Sequence, residues 1–253
     1  MSNIERSQFM QLTKPKMIIF DAGRTLINYK EINIRKGIEA YYPYIISNPH
    51  QYTVEELEKY DDEIFGSFDP CRENRFEIPM ENKLRLLFDL LEIQFSISLN
   101  EVAKIEWEED PVIEAVNHVA DLLHWLNGAK IRTAVISNCD YSGKLLQEKL
   151  NKIFPENQFE FVIASSDYGV MKPNHYIFQA GIVKSGLEAK DIWYVGDKVV
   201  VDVLGSKAVG MMPVLYKNPY NAYEEMPKNV YVVDDFMEIV KLIEECEMIR
   251  RKQ

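Results

Sequence analysis

Cysteine is scarce in this sequence, with only Cys71, Cys139 and Cys246 among 253 residues. The number is odd, the spacing is wide and no CxxC pair occurs, so a disulfide framework is not expected. The four histidines show no HxxxH or HExxH spacing, and a zinc site is therefore not supported. This cysteine usage fits a reducing compartment, and we expect the protein in the cytoplasm.

Long hydrophobic runs and positive charge are also lacking. No segment approaches about 18 consecutive apolar residues, so we expect no membrane span, and residues 1–15 lack the apolar core of a signal peptide. The 29 basic against 40 acidic residues give a formal net charge of -11. Nucleic acids and anionic membranes would repel such a chain, so neither is an expected partner. A small phosphorylated partner is not excluded, because one local cation can override the global field.

Short apolar runs predict buried strands at residues 17–20, 131–136, 159–164, 192–195, 212–216 and 230–233. Helical patterns lie between them, over 112–126 with Gly128 as its C-cap, 142–153, 174–185 ended by Gly186, 201–209 and 235–250. Alternating strands and helices predict an α/β fold, a Rossmann-like parallel sheet with helices on both faces.

Residues 30–111 interrupt this alternation. They are rich in Tyr, Glu, Asn and Phe, contain no clear parallel strand, and are too long and apolar to be a disordered linker. Helices are predicted over 53–65, from a capping box at Thr53 and Glu56, and over 81–93 and 100–108. We therefore expect a core formed by residues 14–29 and 112–253 and a smaller helical cap formed by residues 30–111.

Polar clusters follow the predicted strands or open a helix. In chain order they are the segment from Asp21 to Thr25, the pair Ser137-Asn138, the pair Lys172-Pro173, and the segment from Gly196 to Asp202. In parallel α/β sheets, ligands gather beyond the carboxyl ends of the strands. A lone aspartate or Lys-Pro pair is ordinary turn or helix-cap chemistry, whereas four clusters in this order predict a shared site.

Three carboxylates converging on one point need a cation. Asp21, Asp197 and Asp202 offer the oxygen ligands that suit Mg²⁺, and Lys172 adds a point charge for phosphoryl oxygens. Mg²⁺ and the lysine together balance the three negative charges. Such a near-neutral site can accept a dianionic phosphoryl group, with the Ser137 hydroxyl and backbone N–H groups holding its other oxygens.

The order hhhhDxxxT, hhhSN, a lysine before a proline-initiated helix, and hhGDxxxxD resembles the haloacid dehalogenase superfamily of hydrolases. The resemblance runs from Met17 to about Tyr216. The helical insertion after the first motif is similar to the cap of the phosphatase-like subgroup. Each motif alone is weak, and the four together are specific.

The resemblance implies a metal and a covalent intermediate. Asp21 would attack phosphorus and form an aspartyl-phosphate, which water then hydrolyses. Mg²⁺ would be held by the carboxylates of Asp21 and Asp197 and by the backbone carbonyl of Gly23. Asp202 would support the metal either as a direct ligand or by contacting the residues that bind it.

The resemblance also implies contacts to a small phosphorylated substrate. Ser137 would hydrogen-bond the transferring phosphoryl oxygens, and Lys172 would neutralise charge on the nucleophile and the phosphoryl group. Asn138, Thr25 and Arg24 complete the predicted substrate-binding set. No sequence pattern indicates an oligomeric state.

The first motif departs from the family phosphatases. Two positions after the nucleophile they usually carry a second Asp, which protonates the leaving group and later activates water. Here that position is Gly23, which cannot transfer a proton, and the next residue, usually Gly, is Arg24, a poor acid because it stays charged. General acid–base catalysis contributes about 10²–10⁴-fold, so alkyl phosphates should react slowly and good leaving groups should be favoured.

Three functions therefore stay open. The first is a Mg²⁺-dependent phosphohydrolase of restricted activity. The second is cleavage of carbon–halogen or carbon–phosphorus bonds, since family members with those activities also lack the second Asp. The acidic pair Asp197 and Asp202 weighs against a dehalogenase, and a phosphonatase would need a cap lysine such as Lys30, Lys36 or Lys59. The third is a non-catalytic member that binds a phosphorylated ligand or a protein partner.

Overall fold

The computed structural model of the protein describes residues 13–223 and 230–251. The strands are β1 (Met17–Phe20), β2 (Ile27–Ile32), β3 (Ile45–Ser47), β4 (Gln94–Phe95), β5 (Pro111–Ala115), β6 (Arg132–Ser137), β7 (Phe159–Ala164), β8 (Ile192–Gly196), β9 (Met212–Tyr216) and β10 (Tyr231–Val233). The α-helices are α1 (Ile34–Tyr41), α2 (Val54–Gly66), α3 (Asp69–Glu73), α4 (Met80–Leu90), α5 (Leu99–Glu109), α6 (Val119–Gly128), α7 (Gly143–Ile153), α8 (His175–Ser185), α9 (Gly205–Ala208) and α10 (Met237–Arg251).

Several expectations concern the chain as a whole. Among the described helices, none is both long enough and apolar enough to cross a bilayer. Residues 1–12, most of the segment in which no signal-peptide core is found, lie outside the described residues. The three cysteines are free thiols, and the cytoplasmic location inferred from them stays a prediction.

Six strands form one parallel sheet in the order β10-β9-β8-β1-β6-β7. Side chains of β1 alternate between its faces. Ile18 and Phe20 join a hydrophobic cluster that contains residues of α6, α7 and α10, whereas Met17 and Ile19 join a cluster that contains residues of α8. Helices therefore cover both faces, and the predicted α/β fold is confirmed.

The strands of the sheet and several helices lie where the sequence predicts them, within one or two residues. Helices α7 and α8 begin after the N-cap residues Ser142 and Asn174, whose side chains accept backbone N–H groups of the first turn. Gly186 ends α8 with a left-handed φ of 65°, as expected for a C-cap glycine. Local capping signals therefore define these boundaries.

The predicted helix over 112–126 is wrong in its first part. Residues 111–115 form β5, which pairs antiparallel with β2, and α6 begins only at Val119. The β-branched residues Val112 and Ile113 suit an extended strand, and His118 has a left-handed φ of 61° that interrupts a helix. The spacing of apolar residues resembled a helix, but pairing with β2 decides the conformation.

Two helix ends also differ from the prediction. Gly128 is the last residue of α6 rather than its C-cap, and the left-handed residue beyond this helix is Lys130, with φ 56°. The helix predicted over 201–209 is a π-helical turn over 199–204 followed by α9. This turn packs so tightly on β8 that a Cβ atom at Gly196 would lie 2.5 Å from the Cβ of Asp202. Only glycine at position 196 permits that approach.

The chain between β2 and β5 is mostly helical. Capping boxes begin α2, at Thr53 and Glu56 as predicted, and α5, at Ser98 and Glu101. A short antiparallel pair, β3 with β4, lies among the helices and has no counterpart in the predicted pattern. The expected boundaries at residues 29/30 and 111/112 fall inside β2 and β5, and the division into core and cap stays a prediction.

Three carboxyl groups are buried among these helices. Asp61 in α2, Glu106 in α5 and Asp110 at the end of α5 are 3%, 4% and 8% exposed. Burial and, to a smaller extent, Asp110 raise the pKa of Asp61 to about 7. Burial likewise raises the pKa values of Glu106 and Asp110. Ionisation of these groups therefore costs folding stability.

We expect the substitution Asp61→Asn to stabilise the folded protein, relative to the parent, by an amount that increases as the pH rises. The folded-state pKa of about 7 lies above the unfolded value of 3.8, so between these values the unfolded chain loses a proton that the folded protein keeps. The free energy of unfolding of the parent should fall across this window, and the variant lacks that contribution. Urea unfolding should show the variant gaining about 2–3 kcal/mol relative to the parent between about pH 5 and about pH 8.

The matched control is Asp62→Asn, because Asp62 is the exposed neighbour in the same helix. Its free energy of unfolding should follow the parent at both pH values. An advantage of Asp61→Asn that is equal at both pH values would show that Asp61 keeps its ordinary pKa.

Candidate active site

The site lies at the carboxyl ends of the central strands β8, β1 and β6. Asp21 follows β1, and its backbone N–H donates to the Val195 carbonyl of β8 at 2.9 Å. Ser137 is the last residue of β6, and Asp197 directly follows β8. Parallel strands end at the same edge of a sheet, so these side chains meet although they are far apart in sequence.

Three carboxylates crowd this edge. Asp21, Asp197 and Asp202 are 7%, 1% and 1% exposed, and oxygen atoms of the three lie within 4.8 Å of one another. Across residues 13–223 and 230–251, no other group of three Asp, Glu, His or Cys side chains is this close. Burial, followed by the charges of Asp21 and Asp202, raises the pKa of Asp197 to about 7. The carboxylates therefore need a cation between them.

Lys172 supplies one positive charge. Its Nζ donates to Asp21 Oδ1 and Asp202 Oδ1, each at 2.6 Å, and to the Tyr194 hydroxyl at 2.9 Å. Burial lowers the pKa of Lys172, but the charges of Asp202 and Asp21 raise it by more, so the pKa lies well above its usual value. The Tyr194 hydroxyl in turn donates to the Ile136 carbonyl at 2.9 Å. All three ammonium protons of Lys172 are thus used.

Neighbouring polar groups hold these charges in place. The Asn138 side chain binds the backbone of Lys172 twice, accepting its N–H at 2.7 Å and donating to its carbonyl at 3.1 Å. The Thr25 hydroxyl lies 3.2 Å from Asp21 Oδ2 and 3.4 Å from Asp197 Oδ1. Ser137 donates to Asp21 Oδ1 at 3.3 Å. The carboxylate of Asp21 is therefore fixed from several sides.

A cleft of about 160 Å³ opens beside Asp21. Its walls include residues from all four sequence clusters, among them Asp21, Gly23, Ser137, Lys172 and Asp202. Asp21 thus borders open space while its carboxylate stays mostly buried. This arrangement gives a small ligand access to a held carboxylate.

Tyr29 covers the position of the absent second aspartate. A Cβ atom at Gly23 would lie 3.4 Å from Tyr29 Cε2 and 3.9 Å from its hydroxyl. Tyr29 is 39% exposed overall, and partial burial, followed by the nearby groups Cys139 and Asp21, raises the pKa of its hydroxyl. The ring therefore lies where a longer side chain at position 23 would extend.

Arg24 adopts a conformation that usually favours glycine. Its φ is 60°, in the left-handed region that costs a non-glycine residue about 1–2 kcal/mol. Its guanidinium donates to Asn221 Oδ1 at 3.0 Å, and its carbonyl accepts from the Asn218 side chain. Contacts with these two asparagines therefore stabilise Arg24 in a backbone conformation that glycine would adopt without strain.

The structure brings Asp21, Ser137, Lys172, Asp197 and Asp202 together, as the motif spacing predicts. The other predicted residues are placed as follows. Gly23, Arg24 and Asn138 line the cleft. Thr25 has no exposed surface, which favours positioning of the carboxylates over the predicted substrate contact.

Three site residues were not identified from the sequence. Tyr194 carries a weak signal, because it is a hydroxyl-bearing residue within an otherwise apolar buried strand. Asn221 donates to Asp197 Oδ2 and Tyr29 covers Gly23, and neither belongs to a motif. Their roles depend on loop packing that the pattern does not encode.

The donor atoms suit a hard divalent cation. Three carboxylates against one lysine leave an excess of negative charge, and Mg²⁺ typically binds one or two carboxylates with water completing its shell. The two oxygens of Asp202 already accept from Lys172 Nζ at 2.6 Å and from the Lys198 backbone N–H at 2.9 Å. The single hydroxyl proton of Thr25, by contrast, is shared between Asp21 Oδ2 at 3.2 Å and Asp197 Oδ1 at 3.4 Å, so it can satisfy only one of them. Asp21 and Asp197 are therefore the better candidates for direct ligands.

The fold and site define an α/β protein with an acidic, lysine-bridged centre at the carboxyl edge of a parallel sheet. Residues 18–215 match the model of one family, the haloacid dehalogenase-like hydrolases. The chain belongs to this family, as the order of its motifs predicts.

Curated relatives match part of the chain. It is 32% identical over 97 residues to glyceraldehyde 3-phosphate phosphatase of Methanocaldococcus jannaschii, covering 38% of this chain and 42% of the relative. It is 31% identical over 106 residues to haloacid dehalogenase-like hydrolase domain-containing protein 3 of Homo sapiens, covering 42% and 41%. The chain therefore spans less than half the length of the curated relatives it matches.

Solved structures share the fold over most of the chain. A 2-haloacid dehalogenase from Pseudomonas syringae pv. Tomato DC3000 superposes with a TM-score of 0.63 at 18% identity, covering 91% of this chain and 99% of the other. A HAD phosphatase from Thermococcus onnurineus superposes with a TM-score of 0.56 at 19% identity, covering 90% and 97%. At these identities the likeness shows the fold alone.

We expect Lys172→Met to destabilise the metal-free protein by about 3–5 kcal/mol, because Asp21 and Asp202 lose their buried counter-ion. Mg²⁺ should recover part of this loss, since a bound cation stabilises the folded state. Thermal unfolding should therefore show a larger Mg²⁺-induced rise in Tm for the variant than for the parent.

Lys190→Met is the matched control, because Lys190 pairs with Glu188 at the surface and its side chain is 74% exposed. This variant should unfold like the parent and respond equally to Mg²⁺. Equal Mg²⁺ responses in all three proteins would argue against a cation bound among the carboxylates that Lys172 bridges.

Proposed function

We propose that this protein is a Mg²⁺-dependent phosphohydrolase that acts on a small phosphorylated substrate through an aspartyl-phosphate formed on Asp21. The observation that carries the proposal is the 2.6 Å contact between Lys172 Nζ and Asp21 Oδ1, at the wall of a cleft and beside two further carboxylates. Relatives named as phosphatases support the same chemistry. A lysine charge next to a carboxylate nucleophile stabilises negative charge that develops on the phosphoryl group.

The proposed reaction has two steps. A carboxylate oxygen of Asp21 attacks phosphorus, the bond from phosphorus to the leaving-group oxygen breaks, and the leaving group takes up a proton. Water then attacks the aspartyl-phosphate, which releases phosphate and restores the carboxylate. Ser137 and Lys172 hold Asp21 in one orientation during both steps.

Mg²⁺ would be held by Asp21, Asp197 and the carbonyl of Gly23, with Asp202 supporting the site. When bound, it supplies positive charge that offsets the negative oxygens of the phosphoryl group. Thr25 and Asn221 hold the Asp197 carboxylate, the first at 3.4 Å. They therefore orient the acidic group without contributing a charge of their own.

No acid stands at position 23, and Tyr29 does not restore one. Its hydroxyl lies near Gly23, but its pKa is raised by burial, so it is a weaker acid than free tyrosine. Proton donation to an alkoxide is therefore inefficient. The site should prefer leaving groups that depart without full protonation.

The alternative functions have less support. The acidic pair Asp197 and Asp202 weighs against a metal-independent dehalogenase. A phosphonatase needs a cap lysine that reaches the substrate to form a Schiff base, but Lys30, Lys36 and Lys59 are not among the residues that line the cleft beside Asp21. A non-catalytic binding role is separated from the proposed activity by the experiments below.

Asp21→Asn should abolish phosphate release from an aryl phosphate, with a loss of at least about a thousandfold, because the amide is not a nucleophile. The parent should release phosphate only with Mg²⁺ present, and mass spectrometry of the quenched parent should find the phosphoryl group on Asp21.

Asp89→Asn serves as the control, because Asp89 is an exposed residue of α4; it should retain the parent rate. Full activity of Asp21→Asn would exclude Asp21 as the nucleophile. Metal-independent halide release by the parent would point to dehalogenation, and bound phosphate without turnover would point to a binding protein.

Gly23→Asp should raise kcat/KM for alkyl phosphates, and the gain should be larger when Tyr29→Ala removes the ring above position 23. The new aspartate supplies a proton donor. It should raise kcat/KM by about tenfold or more, a part of the 10²–10⁴-fold that acid–base catalysis contributes. Aryl phosphates should gain less, because their leaving groups need less protonation. The measured quantity is the ratio of kcat/KM for alkyl and aryl phosphates.

The control replaces Gly23 with Asn in the same Tyr29→Ala background, since asparagine has the shape of aspartate without its proton. If the Asn and Asp variants show the same ratio, proton donation does not limit this site.

A further inference from the structure

A second cavity, of about 340 Å³, lies among α2, α5 and the loop after β6. Its walls share Tyr29 and Asn138 with the cleft beside Asp21. Its volume is within the range of small-molecule sites, roughly 300–1,000 Å³. The two spaces are therefore adjacent, with Tyr29 and Asn138 at their common boundary.

Three carboxyl groups in the cavity wall lack a counter-ion. Asp61, Glu106 and Asp110 line it and are each less than 9% exposed. In the part of the chain that the structure describes, none of them forms an ion pair. Asp110 accepts the Asn33 backbone N–H, whereas no such partner among the described residues offsets the burial of Asp61 and Glu106. Carboxyl groups without a partner are costly to bury, so fold stability alone does not account for these two.

The neighbouring cations are engaged elsewhere. Lys83 Nζ binds Asp140 at 2.8 Å. The Arg72 guanidinium, which lines the same cavity, binds Glu77 at 2.9 Å. Lys149 donates to the Trp107 carbonyl at 2.7 Å. In the described part of the chain, Asp61 and Glu106 therefore have no cation of the protein as a partner, and either protons or a cationic ligand can neutralise them.

Two residues of the cavity wall carry a buried polar atom with unmet hydrogen-bonding capacity. Glu106 Oε2 and Trp107 Nε1 are buried without a hydrogen-bond partner, and both residues line the cavity. Buried polar atoms are nearly always paired with protein or bound molecules. This pair is the independent sign that the cavity takes a polar ligand.

The spacing of the carboxyl groups suits an organic cation rather than a metal ion. Asp61, Glu106 and Asp110 are not within the 4.8 Å mutual distance that the triad around Asp21 meets. Aromatic rings of Phe65, Trp107 and Tyr141 also line the cavity. Ammonium groups bind to aromatic faces and carboxylates together, whereas a metal ion needs converging ligands.

We propose that this cavity binds the leaving group of the substrate and that the leaving group carries a protonated amine. The inference rests on the proposed phosphohydrolase function and names its substrate class, a phosphate ester of an amino alcohol. Glu106 and Asp61 contact the ammonium group, and the rings around it exclude water. A leaving group that carries a carboxylate or second phosphate is rejected by the same charges.

This substrate class suits a site without an acid at position 23. An ammonium group withdraws electrons from a nearby oxygen, so the alkoxide formed when the phosphorus–oxygen bond breaks is less basic. The alkoxide then takes its proton from water. The positive charge of the substrate thus offsets part of the missing proton donation.

Binding is tested on the Asp21→Asn protein with Mg²⁺, where turnover does not interfere. Calorimetry compares aminoalkyl phosphates of two to six carbons with alkyl phosphates of equal length. At least one aminoalkyl phosphate should bind about tenfold or more tightly than its match, as expected for hydrogen bonds to a charged group. Adding Glu106→Gln or Asp61→Asn should reduce this ratio several-fold, whereas the exposed change Asp62→Asn should leave it unchanged.

Equal binding of both series at every length would overturn the inference, as would a ratio that Glu106→Gln and Asp61→Asn leave unaltered. A phosphate-release assay with an aryl phosphate on the parent tests the proposed function separately. Turnover of an aryl phosphate without preferential binding of ammonium-bearing phosphates would support the proposed function and contradict the proposed substrate class. Ammonium-selective binding without turnover of any phosphate would contradict the function and the substrate class, and would leave only a binding site for an ammonium-bearing phosphate.

Discussion

The site depends on one buried ammonium group. Lys172 Nζ joins Asp21, which follows β1, to Asp202 in the π-helical turn, through two contacts of 2.6 Å. Each carboxylate at the end of a parallel sheet makes ionisation of its neighbours harder, and this lysine offsets that repulsion. The close approach of the turn to Gly196 and the grip of Asn138 on the lysine backbone both bring the ammonium group to the carboxylates.

Two regions of the molecule bury several carboxyl groups close together. The cost of burying these groups is offset in a different way in each region. At the sheet edge, Lys172 and a divalent cation can neutralise converging carboxylates. Among α2 and α5, Asp61 and Glu106 face a cavity and have no ion-pair partner, so their neutralisation falls to protons or to a bound cation. Tyr29 stands between the two regions and lines both spaces. The cleft beside Asp21 and the cavity therefore share part of their walls.

Local patterns predicted most of the sheet because its strands are short, apolar and fully buried, as β1 and β8 illustrate. Capping signals did the same for the start of α2 at Thr53 and for the end of α8 at Gly186. The pattern predicted a helix over residues 112–126, and its first part is wrong. Residues 111–115 have apolar residues at helical spacing but form a strand that pairs with β2. Strand pairing between segments more than 80 residues apart is a tertiary interaction, and single-sequence periodicity does not contain it.

The sequence by itself determined the family, the α/β class with a parallel sheet, and the four charged or hydroxyl residues that meet at Asp21. It could do so because each of these residues follows a strand end or opens a helix, and parallel strand ends share one edge. Only the tertiary structure decided that Tyr29 covers Gly23, that Thr25 is sealed behind the carboxylates, and that Glu106 faces a cavity. Those outcomes depend on side chains from separate helices and loops packing against one another, and no local pattern specifies which surfaces meet.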